Sequence, residues 1–421
     1  MALRKAFGWE RDCLQGLWER AGRPSVQLEL WDGTRLGAAA ESAVGRVVFR
    51  DPGVMAGLIW DPSLALGDRF SDGRIVIEGD LPAVLTAIFS AMPHQRKRSW
   101  RDWFVAQRGH SFGESRDSVY HHYDLGNEFY RLWLDERMAY TCAYYEHPEM
   151  SLEQAQAAKF DHVCRKLRLQ QGDVVAEAGC GWGGLALHMA QHYGARVRAY
   201  NLSKEQLSFA RQRARQEGLT DRVEFVEDDY RNITGKYDAF VSVGMLEHVG
   251  VDQFANLSKT IDRVLSESGR GLIHTIGRNA ARRLDSWTEQ RIFPGAEPPS
   301  LRQMMDIFEP CCFSILDVEN LRLHYAQTLR HWLERYEAAA PQIEAMFDAK
   351  FVRMWRFYLA ASIAAFVSGH LQLFQVVFSR ANNNAVPWTR DDIYRRQEAQ
   401  PFTDPMPESF AGASSWKPAR S

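Results

Sequence analysis

Val174-Val175-Ala176-Glu177-Ala178-Gly179-Cys180-Gly181-Trp182-Gly183-Gly184-Leu185 is the stretch on which the fold turns. A β-branched run enters a glycine-dense turn and leaves directly into an apolar helix pattern, the signature of the first strand, loop and helix of a nucleotide-type α/β sheet. Glycines let the backbone approach a ligand where a Cβ would clash, and an acid just before them can hold a cationic or hydroxyl-bearing group. A phosphate cradle would not place Glu177 there. Residues 195–200, 222–226 and 237–243 read as three further strands, each preceded or followed by helical pattern or polar turn residues. The second opens into Asn201-Leu202-Ser203-Lys204-Glu205-Gln206, where Ser203 and Gln206 have capping-box spacing. The fourth runs into Gly244-Met245-Leu246-Glu247-His248-Val249-Gly250, a loop that the strand-end rule turns toward the ligand crevice.

The E-x-G-C-G-W-G-G pattern resembles motif I of S-adenosylmethionine (SAM) methyltransferases, whose ligand carries no phosphate and bears an amino group and a sulfonium. That resemblance makes Glu177, Gly179, Cys180, Gly181, Trp182 and Gly183 cofactor-binding candidates. Residues after the second strand, the polar Asn201, Ser203 and Gln206 together with Leu202, fall where ribose hydroxyls arrive in such folds, with plain cap chemistry the alternative for Ser203. Asp228 and Asp229, at the end of the third strand, can accept from the adenine amino group or simply form a solvated turn.

Eight segments in order and at compatible spacing carry a second, more specific likeness. They are His122 to Asn127, Tyr140-Thr141-Cys142-Ala143-Tyr144-Tyr145, Gly179 to Gly183, Glu247-His248-Val249-Gly250, His274-Thr275-Ile276-Gly277, Ile292-Phe293-Pro294-Gly295, His324 to Leu329 and Gln375 to Arg380. Together they resemble the cyclopropane-fatty-acyl-phospholipid synthase family, which includes the mycolic acid cyclopropane synthases, over about residues 100 to 380. The resemblance implies SAM-dependent addition of a methylene carbon to the cis double bond of a phospholipid acyl chain. It adds Tyr123, Tyr140 and Thr141 to the cofactor set. It further implies a bound bicarbonate as base, held by Cys142, Glu247, His274, Ile276 and Tyr325. Cys142 and Ile276 need present only backbone N–H groups, His274 and Tyr325 can donate from side chains, and Glu247 can orient His274 or share a proton with the ion. Aromatic faces for a developing carbocation are expected from Tyr140, Tyr144, Tyr145, Trp182 and Tyr325. Two departures stand out. Ser362 occupies a late-helix position where relatives often carry Cys, which excludes a thiolate there, and Gly295-Ala296-Glu297-Pro298-Pro299-Ser300 differs after the Phe-Pro-Gly, in a loop bearing on substrate range.

With 421 residues, 45% hydrophobic and 12% aromatic, the chain suits two domains. The expected architecture is a Rossmann-like SAM-dependent methyltransferase domain with a helical cap over residues 118–380, preceded by a small α+β domain over 1–92. The Leu66 to Gly73 segment of that N-terminal domain resembles the lipid-carrier-like domain preceding many of these synthases. Residues 93–117 read as a basic, aromatic linker suited to an anionic leaflet, and 381–421 as a loosely ordered tail. Residues 118 to 170 read as helical segments and 351–378 as one long apolar helix, either core or lipid-tunnel lining. Lys+Arg 51 against Asp+Glu 53 leaves no electrostatic footprint for nucleic acid. Six cysteines without a C-x-x-C pair suggest neither a metal site nor a disulfide framework. The N-terminus lacks a signal-peptide core and no apolar run reaches about 18 residues, so the expectation is a cytoplasmic protein, peripheral on the inner membrane surface. Its partners are then phospholipid acyl chains, and a homodimer is compatible with the sequence. The competing readings are the same methyl transfer ending in a methyl-branched or methylated unsaturated chain, a small-molecule methyltransferase, and a non-catalytic lipid-binding scaffold.

Overall fold

The computed structural model describes residues 5–93 and 125–394. Tyr123 and the basic, aromatic stretch 94–104 therefore lie outside the described residues. β5 (Val174–Ala178), β6 (Arg196–Asn201), β7 (Val223–Glu227), β8 (Tyr237–Val243), β9 (Leu265–Gly277), β10 (Phe313–Asn320) and β11 (Gln372–Arg380) form one sheet of order β10-β11-β9-β8-β5-β6-β7. β5 to β9 run parallel, while β11 is antiparallel to β9 and β10 antiparallel to β11. The chain leaves β5 for β6 on one side and later returns to β8 on the other, so the crevice opens at the carboxyl ends of β5 and β8. Their side chains are buried on both faces, which is why these strands read as apolar runs rather than alternations.

The N-terminal strands β1 (Val26–Glu29), β2 (Arg35–Gly37), β3 (Gly45–Phe49) and β4 (Ile75–Glu78) make a second sheet of order β2-β1-β3-β4. The N-terminal segment docks closely on the larger part. A Cβ at Gly67 would stand 2.3 Å from Trp287 Nε1, and the Phe70 and Phe357 rings lie 5.1 Å apart. Arg291 pairs with Asp68 at 2.8 Å and Lys350 with Asp72 at 2.8 Å.

Three expectations are corrected. Of the stretch 118–170, read as helical segments, the described part is helical at Asn127–Arg131 and Leu152–Leu167, and residues 132–151 between them form a loop. Side chains take over the bonds that a helix would make internally: Asp135 accepts from Arg137 N and Ala139 N, Thr328 from Ala143 N, and His324 from Tyr145 N. The apolar run 351–378 is two elements, the helix Ala349–Val367 and β11, separated at Ser368-Gly369, where Gly369 has φ +80°. Both are buried, and burial rather than periodicity sets their composition. Residues 385–393 are tied to the fold through Arg270 to Ala385 O, Arg165 to Ile393 O at 2.7 Å and Arg390 to Asp317 at 2.6 Å. The ordered chain thus runs past residue 380.

Candidate active site

The glycine turn after β5 divides its labour. Gly179, Gly181 and Gly183 all have left-handed backbones, with φ +83°, +53° and +80°. A Cβ at Gly179 would meet Met245 Cβ at 2.8 Å, and one at Gly183 would meet Phe225 Cζ at 2.6 Å and Ala210 Cβ at 2.9 Å, whereas nothing lies within 4 Å of one at Gly181. Gly183 is therefore a packing glycine, and Gly181 leaves room for a ligand. Gly179 N and Cys180 N both donate to Tyr200 O, at 2.9 and 3.1 Å, which fixes the turn to the end of β6.

One cavity gathers Tyr140, Thr141, Glu177, Gly179, Cys180, Gly181, Trp182, Asn201, Leu202, Gln206, Asp228 and Asp229. Gly183 and Ser203 do not line it. Ser203 caps the helix Lys204–Gln216 by accepting from Gln206 N at 3.4 Å, so cap chemistry accounts for it. Asn201 binds Gly181 O at 3.2 Å and Gln206 Oε1 at 2.8 Å, joining β6 to the glycine turn. Asp229 is held by Arg231 at 2.7 and 3.0 Å, while Asp228 accepts from Asn232 at 2.7 Å. Trp182 Nε1 donates to Asn127 Oδ1 at 2.7 Å and pins the short cap helix over the turn.

Glu177 is buried, and its Oε2 has no hydrogen-bond partner among the described residues. Burial raises its carboxyl to about 8, against the opposing pull of Lys159. Lys159, also buried, lines the same cavity and donates to Thr141 Oγ1 at 3.0 Å; burial lowers its ammonium to about 8.

The five proposed base-holding residues do not line that cavity but are linked behind its β8 end. Thr141 packs on Gly244, where a Cβ would meet Thr141 Cγ2 at 2.9 Å, and Gly244 N donates to His274 O at 2.9 Å. Cys142 Sγ approaches Leu321 O at 3.9 Å, Tyr325 N donates to that oxygen at 3.2 Å, and Leu321 N donates to Leu373 O at 2.9 Å. Leu373 is the register partner of Ile276. Ile276 N donates to Glu247 Oε1 at 2.5 Å.

That last bond corrects two expectations. The Ile276 N–H is already committed to Glu247, and Glu247 does not orient His274. Gln375, opposite His274 in the β9–β11 register, does so instead, with Nε2 3.0 Å from His274 Nδ1. A donor at Nδ1 puts the imidazole proton on Nε2, which is buried without a partner among the described residues, as is Glu247 Oε2. Burial raises the Glu247 carboxyl to about 7 and drives His274 well below its ordinary value. Burial also pushes the Cys142 thiol up, which argues against thiolate chemistry there.

The expected aromatic faces sort into two groups. Tyr140 stands 5.3 Å from Trp133 and 5.2 Å from Trp332, with its hydroxyl 2.9 Å from that of Tyr358. Tyr325 lies 4.6 Å from Phe366 and 5.9 Å from Trp332, and Trp182 5.1 Å from Tyr130. Tyr144 instead stacks between His162 at 4.1 Å and His324 at 4.9 Å. Sequence reasoning missed Lys159, Gln375 and Gln156, whose Nε2 binds Ala139 O at 3.2 Å and Thr141 O at 2.9 Å. The available signal was a polar residue inside an apolar strand for Gln375, and an i, i+3 polar pair on a buried helix face for Gln156 and Lys159.

Comparison with known proteins bears on what this arrangement is for. The family model described as mycolic acid cyclopropane synthetase matches residues 110–376. The chain belongs to that family. It is 37% identical over 388 residues to a probable fatty acid methyltransferase of Pseudomonas putida, covering 88% of this chain and 96% of the relative. It is 35% identical over 364 residues to the cyclopropane-fatty-acyl-phospholipid synthase of Escherichia coli K12, covering 82% and 90%. The mycolic acid cyclopropane synthase CmaA1, solved with SAH and CTAB, aligns with a TM-score of 0.60 and 28% identity over 63% of this chain and 98% of that one. As a member of the family the protein is a SAM-dependent methyltransferase with a mixed α/β fold. The cavity fits that cofactor: the partnerless Glu177 Oε2 offers an acceptor for an ammonium, and Gly181 leaves open space beside it. No helix among the described residues is long and apolar enough to cross a membrane.

Proposed function

We propose that this protein methylates the cis double bond of an unsaturated acyl chain in a membrane phospholipid and closes a cyclopropane ring, with bicarbonate as the base. The observation that carries this reading is the pair of partnerless buried atoms, His274 Nε2 and Glu247 Oε2, with Gln375 and Ile276 fixing the opposite edge of each side chain. A neutral imidazole presenting Nε2–H and a carboxyl raised to about 7 that can still carry its proton are each able to donate to a small anion, and the proposal is that one ion takes both. Bicarbonate bound there would supply the base that removes a proton from the added methyl group.

The remaining chemistry asks for orientation and dryness. A cis alkene is a poor nucleophile, so SAM must supply a strong electrophile and water must be kept from the developing carbocation. Tyr140, which lines the cofactor cavity, belongs to one contiguous cluster of rings with Trp133, Trp332 and Tyr325, whose π faces would favour a cation. The loop after Gly295 closes on the same place through Glu297 N, which donates to Glu247 O at 2.8 Å. Its departure from the family pattern therefore bears on which acyl chain is admitted.

The P. putida relative is named a probable fatty acid methyltransferase, which is compatible with an alternative in which proton loss elsewhere leaves a methylated unsaturated chain, or a separate hydride donor reduces it to a methyl-branched one. Mass spectrometry of phospholipids from a host expressing the protein separates these outcomes. A ring adds one CH2 and resists ozone, a methylated alkene has the same mass and is cleaved by ozone, and a saturated branch is two hydrogens heavier. The ring is expected, formed at a rate that falls in degassed, bicarbonate-free buffer and recovers when bicarbonate is returned. An ozone-sensitive product, or a bicarbonate-independent rate, refutes the proposal.

A further inference from the structure

Among the described residues two cations, Lys159 and Arg231, line the cofactor cavity, and they are placed differently. Arg231 is held in a two-bond pair with Asp229, beyond the end of β7. Lys159 is 1% exposed, lies 4.1 Å from the Phe160 ring centroid, and donates to a neutral acceptor, Thr141 Oγ1, at 3.0 Å. Thr141 in turn packs on Gly244, which directly follows β8. With strands ordered β8-β5-β6-β7, Lys159 and Thr141 mark one end of the cavity and Asp228 and Asp229 the other, with Asn201 between them.

SAM has a matching polarity. Its adenine and ribose are uncharged, and the methionyl end carries an α-ammonium and an α-carboxylate. Asn201, Asp228 and Asp229 are suited to the hydroxyls and amine of adenosine, which leaves the methionyl end at β5 and β8. Glu177, with its unpartnered Oε2, is there to meet the ammonium. The carboxyls of Asp135 and Glu177 favour the charged form of Lys159, yet its hydrogen bond goes to Thr141, so the buried ammonium can still take a further anion.

We propose that Lys159, together with the Thr141 hydroxyl, recognises the α-carboxylate of the cofactor's methionyl end. Thr141 Oγ1 accepts from Lys159 Nζ, so its own O–H is left to donate, and the two donors converge on one anion. Gln156 supports the arrangement from the same helix by holding Thr141 O at 2.9 Å. The inference rests on the cavity being the SAM site, and it concerns which functional group of SAM is read and by which residue.

The test compares two ligands by calorimetry: SAM and decarboxylated SAM, which keeps the adenosine, sulfonium and amine but lacks the carboxylate. The wild-type protein is expected to bind SAM more tightly than the decarboxylated form. Lys159→Met should weaken SAM by about 10- to 100-fold, the range for losing a hydrogen bond to a charged group, while changing the decarboxylated ligand by no more than about 3-fold. Thr141→Val should narrow the same gap to a lesser degree, and it gives the answer if Lys159→Met does not fold. Equal weakening of both ligands, or no change in either, overturns the role of Lys159, as does a wild-type protein that binds the two alike. A wild-type protein that binds neither overturns the cofactor assignment itself, and this inference with it.

Discussion

Replacing Glu247 by glutamine keeps the shape of the side chain and removes its ionisation. Burial holds the Glu247 carboxyl at about 7 against an ordinary value of 4.5. Between those two values the folded protein binds more protons at this site than the unfolded chain, so stability falls as pH rises, by about 1.4 kcal/mol per unit. Below pH 4.5 the side chain is neutral in both states and costs nothing extra. Above 7 the full cost, on the order of 3 kcal/mol, is present. Glutamine carries none of it and can keep the bond from Ile276 N through its own carbonyl oxygen. Glu247→Gln should therefore exceed the wild type by less than about 1 kcal/mol near pH 5 and by roughly 3 kcal/mol near pH 9, a gain of several degrees in melting temperature. Glu177, raised to about 8, titrates in the same range but in both proteins, so it cancels from the difference. Because Glu247 does not line the cofactor cavity, SAM affinity should stay the same while turnover falls by about 10²- to 10⁴-fold. Melting curves from pH 5 to 9, with calorimetry and rates on the same preparations, check all three. A difference in melting temperature that does not change with pH refutes the buried, proton-carrying carboxyl, and a parallel loss of SAM affinity refutes the separation of the two sites.

The glycine turn offers a paired test: Gly181→Ala adds a methyl group to open space and should weaken SAM binding with little loss of stability beyond the left-handed backbone cost of about 1 kcal/mol. Gly183→Ala drives a methyl group into Phe225 and Ala210 and should lower the melting temperature markedly, so a reversed pattern would refute the assignment of the two glycines. Gly67→Val should force Trp287 away from the N-terminal segment and raise the rate of limited proteolysis between the two parts, whereas an unchanged digestion pattern and melting curve would show that this contact does not hold them together.

Glycine spacing, an acid ahead of it and alternating apolar runs made the Rossmann-like sheet and most of the lining of the cavity beside the glycine turn legible, because backbone conformation and strand burial are local demands that each segment must meet by itself. Segments with mixed demands were not legible. The loop 132–151 looks helical because its side chains are apolar and aromatic, yet its backbone is satisfied by residues nearly two hundred positions away, such as Thr328 and His324. The run 351–378 could not be divided by periodicity, since helix and strand are both buried.

The sequence by itself determined the order of the strands' chemistry, the glycine turn and the residue types of the proposed site. Only the tertiary structure decided their pairings. It gave the Ile276 N–H to Glu247, set Gln375 rather than Glu247 against His274, and brought Lys159 from a helix that precedes β5 into the cofactor cavity. The physical reason is that a buried polar group must be satisfied, or left poised for a ligand, by whatever the sheet register and helix packing bring within about 3 Å, and that distance is a property of the folded neighbourhood, not of spacing along the chain.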